Sequence, residues 1–104
     1  MAYQSSQASA AIATATTTTL VAAVANATIK VYGVVINCGA TAGSVTIKDS
    51  DGTPLLGPLA MPATSTIVLP LNDQGWLQTS AGSSLQVVTT STGPTFVAVN
   101  YTQI

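Results

Sequence analysis

Along this chain hydrophobic residues alternate with Thr and Ser in short runs, and no run holds a helical period for long. Ser44–Lys48 is the clearest case. Val45 and Ile47 fall on one side and Ser44, Thr46 and Lys48 on the other, the two-residue repeat of a half-buried strand. Thr66–Leu71 repeats it through Ile67, Leu69 and Leu71. Turn residues punctuate the runs. In Asp49-Ser50-Asp51-Gly52 the Asp side chains can bond their own backbone and Gly accepts positive φ. Asn26-Ala27, Gly39–Gly43, Asn72–Gly75, Ser80–Ser83 and Ser91–Pro94 serve the same purpose. The pattern predicts strands at Thr16–Val24, Thr28–Cys38, Ser44–Lys48, Leu55–Met61, Thr66–Leu71, Trp76–Thr79, Leu85–Thr90 and Thr95–Ile104. Pro58 marks Leu55–Met61 as an edge strand. Many short strands separated by regular turns make an all-β domain, a sandwich or a barrel.

Before the first of these strands the residues are small, polar and aperiodic. Residues 1–15 are therefore expected to form a flexible N-terminal arm, and residues 16–104 the β domain. Ala8–Ala15 has a helical composition, but the run Thr16–Thr19 opposes it, because β-branched side chains lose rotamer freedom in a helix.

Two strands carry apolar residues at both parities. In Thr28–Cys38 one parity holds Ile29, Val31, Gly33 and Val35, and the other holds Lys30, Tyr32, Val34, Ile36 and Cys38. In Thr95–Ile104 Phe96, Ala98 and Asn100 oppose Val97, Val99 and Tyr101. A core inside one chain covers one face of a two-layer sandwich, so the second face is expected to be covered by other chains. Sheet edges point the same way, since soluble proteins guard edges with Lys and other charges and this chain has two lysines.

Composition mainly excludes. Of 104 residues 5% are charged: Lys30 and Lys48 against Asp49, Asp51 and Asp73, for a net charge of −1. Two lysines make no field for counterion release, so no nucleic-acid partner is expected. Without His or Glu, general acid–base catalysis lacks its usual groups and no enzyme is expected. No cofactor or metal is implied. Asp49-Ser50-Asp51-Gly52 resembles the start of a calcium loop, but position five is Thr53 and position twelve Ala60. No apolar window reaches the ~18 residues of a membrane-spanning helix, and the uncharged N-terminus does not read as a signal peptide. The Asn-x-Thr sequences at Asn26 and Asn100 are read as chance matches. Cys38, the single cysteine, closes an apolar run and reads as a buried inert thiol. Trp76 suits either a core anchor or an interface hot spot. Tyr3, Tyr32 and Tyr101 lie too far apart in sequence to suggest a carbohydrate platform.

The order of motifs from Thr19 to Tyr101 carries a resemblance. Thr19-Leu20-Val21-Ala22-Ala23 is followed by Ile29-Lys30-Val31-Tyr32-Gly33-Val34-Val35, then by Val45-Thr46-Ile47-Lys48 and Leu56-Gly57-Pro58-Leu59. Val68-Leu69-Pro70-Leu71-Asn72, Gly75-Trp76-Leu77-Gln78-Thr79 and Ala81-Gly82 with Leu85 complete it. This order resembles the small β-sandwich head decoration, or cement, proteins of tailed bacteriophages. The resemblance implies a jelly-roll-like antiparallel sandwich, commonly a homotrimer. It also implies attachment to the major capsid protein on the outer surface of the virion, after synthesis in the host cytoplasm, with no catalytic residues. The residues expected to make subunit or shell contacts are Leu20, Tyr32, Val34, Ile36, Trp76, Val97, Val99 and Tyr101. The alternative expectation is an adhesion module of a phage head or tail fibre, binding a host-surface glycan.

Overall fold

A computed structural model describes residues 6–12, 15–52, 54–70, 72, 74–90 and 94–104. Its strands are β1 (Ser6–Ile12), β2 (Thr17–Val21), β3 (Ile29–Cys38), β4 (Gly43–Asp49), β5 (Pro54–Met61), β6 (Thr66–Leu69), β7 (Leu77–Gln78), β8 (Leu85–Thr89) and β9 (Thr95–Gln103). No helix occurs among the described residues. One sheet runs β1-β9-β3-β6, with β7 also paired to β3, and the second runs β2-β8-β4-β5. Every pairing is antiparallel. The chain shuttles between sheets: β1, β3, β6, β7 and β9 belong to the first, and β2, β4, β5 and β8 to the second. Outer strands enclosing inner ones in this double Greek-key order make a jelly-roll-like sandwich. Its thinnest dimension is 18 Å, which suits two sheets about 10 Å apart plus their outward side chains.

The predicted turns form where expected. Gly52 takes φ +96° and its N–H donates to the Asp49 carbonyl at 3.1 Å, closing the β4–β5 turn. Asn26 takes φ +63°, the left-handed conformation that Asn tolerates better than most side chains. β5 is an edge strand, as Pro58 predicted. Leu71, Thr53, Asp73 and the Ser91–Gly93 part of the last predicted turn lie outside the described residues.

One expectation is corrected at the N-terminus. Ser6–Ile12, assigned to a flexible arm, is strand β1, in unbroken register with β9 from Ser6 opposite Tyr101 to Ile12 opposite Thr95. Ala8, Ala10 and Ile12 turn inward while Gln7, Ser9 and Ala11 turn outward. The alternation was present in the sequence, but Ala carries little hydrophobic contrast and weak strand preference. Pairing with β9, far along the chain, supplies what local preference lacks. Residues 1–5, which include Tyr3, are outside the described set.

A second correction concerns β3. Its register against β9 shifts between Val31 and Gly33, so Tyr32 is an extra residue, a β-bulge. The bulge reverses parity. Ile29 and Val31 before it, and Val34, Ile36 and Cys38 after it, all face the core. Much of the two-sided apolar character of this strand is thus a single buried face with a one-residue slip in it. Val34 and Ile36 lie opposite Val99 and Val97 of β9, and opposite Leu69 and Ile67 of β6. From the second sheet, Val45, Ile47, Met61, Leu85 and Val87 complete the core.

Candidate functional site

Five of the eight predicted contact residues are buried. Val34, Ile36, Val97 and Val99 are buried between the sheets and take no part in an outer surface. Leu20 and Tyr101 are half-buried against the core. Tyr32 is buried, its hydroxyl 3.1 Å from Thr102 Oγ1. Trp76 alone of the eight is exposed, at 42%, which rules it out as the main core anchor.

The outward residues of the first sheet, missed by the parity count, form a continuous surface. Across β1, β9, β3 and β6 one row reads Ala11, Phe96, Asn37 and Thr66, and the next Ser9, Ala98, Val35 and Val68. A third row reads Gln7 and Asn100 and ends at Gly33, which is buried. Phe96 is 43% exposed, Val35 37% and Val68 57%. None of these residues is charged. The signal that could have found them was the alternation of β9 itself, read with Phe96 outward and Val97 inward. On the second sheet the outward residues of β2, β8 and β4 are Thr17, Thr19, Gln86, Val88, Ser44, Thr46 and Lys48, mostly polar, while β5 exposes Pro54, Gly57, Pro58 and Ala60.

The four sheet edges also differ. β5 carries Pro54, Pro58 and two register shifts. β2 is broken by a shift between Thr19 and Val21, and β6 is only four residues long and followed by Pro70. Each of these is a device that discourages edge pairing. β1 has none: seven residues without proline, charge or bulge.

At the far end of β3, before the bulge, a different cluster forms. Lys30 lies opposite Thr102 on one side and Gln78 on the other. Its ammonium sits 5.7 Å from the centroid of the Tyr32 ring, within cation–π range. Gly75, at φ +81°, brings the chain so close that a Cβ there would lie 2.8 Å from Lys30 Cε. Trp76 then donates its backbone N–H to the Val31 carbonyl at 2.7 Å and its indole N–H to the Pro70 carbonyl at 2.8 Å. Lys30, Gln74, Gly75, Trp76, Leu77 and Gln78 line an open cleft of about 200 Å³.

The remaining motifs are absorbed by the fold. Asp49 is buried, with one carboxylate oxygen accepting from the Asp51 N–H at 3.1 Å and the other from the N–H and hydroxyl of Ser80 at 3.2 and 3.1 Å. The acidic turn therefore directs this carboxylate inward to tie β4 to the loop after β7. Among the described residues no group of three or more His, Cys, Asp or Glu side chains is placed to hold a metal ion. Cys38 is buried and its thiol donates to the Thr41 carbonyl at 3.3 Å. No helix of the described residues is long and apolar enough to cross a membrane. Neither a protein-family model, nor a curated protein, nor a solved structure matches this chain.

Proposed function

We propose that this chain is a structural decoration protein of a tailed-bacteriophage head, docking on the outside of the major capsid shell and stabilising it as a homotrimer. The observation that carries the reading is the patch on the outer face of the first sheet where Val35, Val68 and Phe96 are exposed together, with no charged residue in its rows. Contiguous apolar surface of this kind marks an interaction site more often than chance exposure. The motif order between Thr19 and Tyr101 supports the class of partner.

Size supports more than one copy per site. Four strands about 4.8 Å apart and three rows of side chains cover on the order of 400 Å². A standard interface takes roughly 800 Å² from each partner. One copy would hold weakly, whereas three joined copies gain by effective concentration. Binding that occurs only on the assembled shell stabilises that shell by mass action.

The test is to add the purified chain to heads of the cognate phage lacking it. Saturable binding at three-fold positions, a solution mass three times the 10.4 kDa of one chain, and heads more resistant to heat are expected. Heads that take up none of the chain would overturn the reading.

A further inference from the structure

We infer that the cleft beside Trp76 is a binding site for a single sugar ring carrying a carboxylate, such as a uronic or sialic acid residue of a longer glycan. This goes beyond shell attachment and does not rest on it. The cleft lies on the same strand as Val35 but five residues earlier, roughly 17 Å along β3, outside the apolar rows.

Three observations carry the inference. First, the indole is held as a platform. Its N–H is occupied by the Pro70 carbonyl at 2.8 Å and the backbone N–H of Trp76 by Val31, so the ring is oriented before any ligand arrives. With its polar atom engaged inside the chain and 42% of the residue exposed, it offers chiefly ring carbon to solvent. That surface suits the C–H face of a pyranose, which is apolar on one side and ringed by hydroxyls. A platform already in place lowers the ordering cost of binding.

Second, the lining supplies the complementary polar groups. The carboxamides of Gln74 and Gln78 each present a donor pair and an acceptor, the combination that neighbouring hydroxyls require. Lys30 lines the same cleft, with its ammonium held close to the Tyr32 ring, and none of the described lining residues is acidic. A carboxylate on the sugar is the group this arrangement would select.

Third, size and charge exclude the alternatives. About 200 Å³ is below the ~300–1,000 Å³ of clefts that enclose drug-sized molecules, and it is open enough for a chain to continue out of it. A nucleic-acid strand, which also stacks on aromatic rings, needs a run of cations that this chain does not have.

Trp76 is the only tryptophan, so its emission reports the site directly. The full chain is titrated with glucuronate, with N-acetylneuraminate and with glucose, and the affected residues are located by amide chemical shifts. At least one of the acidic sugars is expected to change the emission with a Kd on the order of 1 mM. Glucose is expected to bind several-fold more weakly, with shifts confined to residues 30–32 and 74–79. Lys30→Gln should reduce the acidic sugar to the level of glucose. Gln78→Ala should weaken both, and Trp76→Ala, followed by chemical shifts, should abolish both while the remaining spectrum stays folded. If Trp76→Ala fails to fold, Lys30→Gln and Gln78→Ala decide alone. The inference is overturned if neither acidic sugar binds, if glucose binds as well as they do, or if binding survives all the variants that fold.

Discussion

The two sheets present opposite outer faces built from similar inner ones. Inward, both carry Val, Ile and Leu against a common core. Outward, the second sheet shows Thr17, Thr19, Thr46, Gln86 and Lys48 with Val88, Pro58 and Ala60, while the first shows Phe96, Val35, Val68, Ala98 and Ala11 with Gln7, Ser9, Asn37, Thr66 and Asn100. The second is the ordinary solvated face of an antiparallel sheet. Each sheet carries one outward lysine, Lys30 on the first and Lys48 on the second, and the first differs by exposing Phe96, Val35 and Val68 among its polar Gln7, Ser9, Asn37, Thr66 and Asn100. Low overall charge alone would affect both faces equally. The difference lies in the large side chains Phe96, Val35 and Val68, which the proposed docking would cover.

The largest effect should come from the inner side of the first sheet. Ile36→Ala removes a fully buried side chain and should cost about 3–4 kcal/mol in chemical denaturation. A cost under 1 kcal/mol would mean that the parity of β3 after the bulge is wrong, and the comparison of faces with it. Next comes the outer side. Val68→Asp, on an edge strand and already 57% exposed, should leave the melting temperature nearly unchanged. It should also lower shell binding about a hundredfold, equivalent to about 2.7 kcal/mol. Thr46→Asp on the second sheet should do neither, and equal losses from the two variants would erase the proposed difference between faces.

A smaller effect of opposite sign is expected at Thr95. Its hydroxyl is buried with no hydrogen-bond partner among the described residues. Thr95→Val keeps the shape and removes the stranded polar atom, so denaturation should show a gain of about 1 kcal/mol. A loss would mean that the hydroxyl has a partner. The smallest effect is that of salt. A docking face without charges should bind with less than threefold change between low and moderate ionic strength, as titrations at two salt concentrations will show. A tenfold drop would mean that Lys30 or Lys48, and not the uncharged rows, carries the interaction.

How much of this was legible beforehand differs from element to element. β4 could be read directly, because strict alternation over five residues has one physical meaning. The turn at Asp49–Gly52 was equally plain, since Asp and Gly favour it for local reasons. β1 was not, because Ala8 and Ala10 give a burial signal too faint to distinguish from a polar arm. The contact residues were misplaced for a sharper reason. A bulge is one extra residue, and composition does not reveal it, yet it sends every later side chain to the other face. Counting in twos through Tyr32 puts Val34 and Ile36 outward, whereas Val97 and Val99 lie in the unbroken β9, where the local pattern does not say which of two apolar parities faces the core. The cleft was illegible in another way: Lys30 and Trp76 are far apart in sequence, and they meet only because β7 pairs with β3.

By itself the sequence determined the class of structure and most strand positions, because alternation and turn chemistry act over a few neighbouring residues. It also fixed the scarcity of charge, which follows from composition alone. Only the tertiary structure decided which sheet each strand joined, which face of β3 is buried, and that the lone tryptophan stands exposed beside a lysine. Those outcomes depend on pairing between distant segments, where register is set by the summed burial of both partners and no local stretch contains the answer.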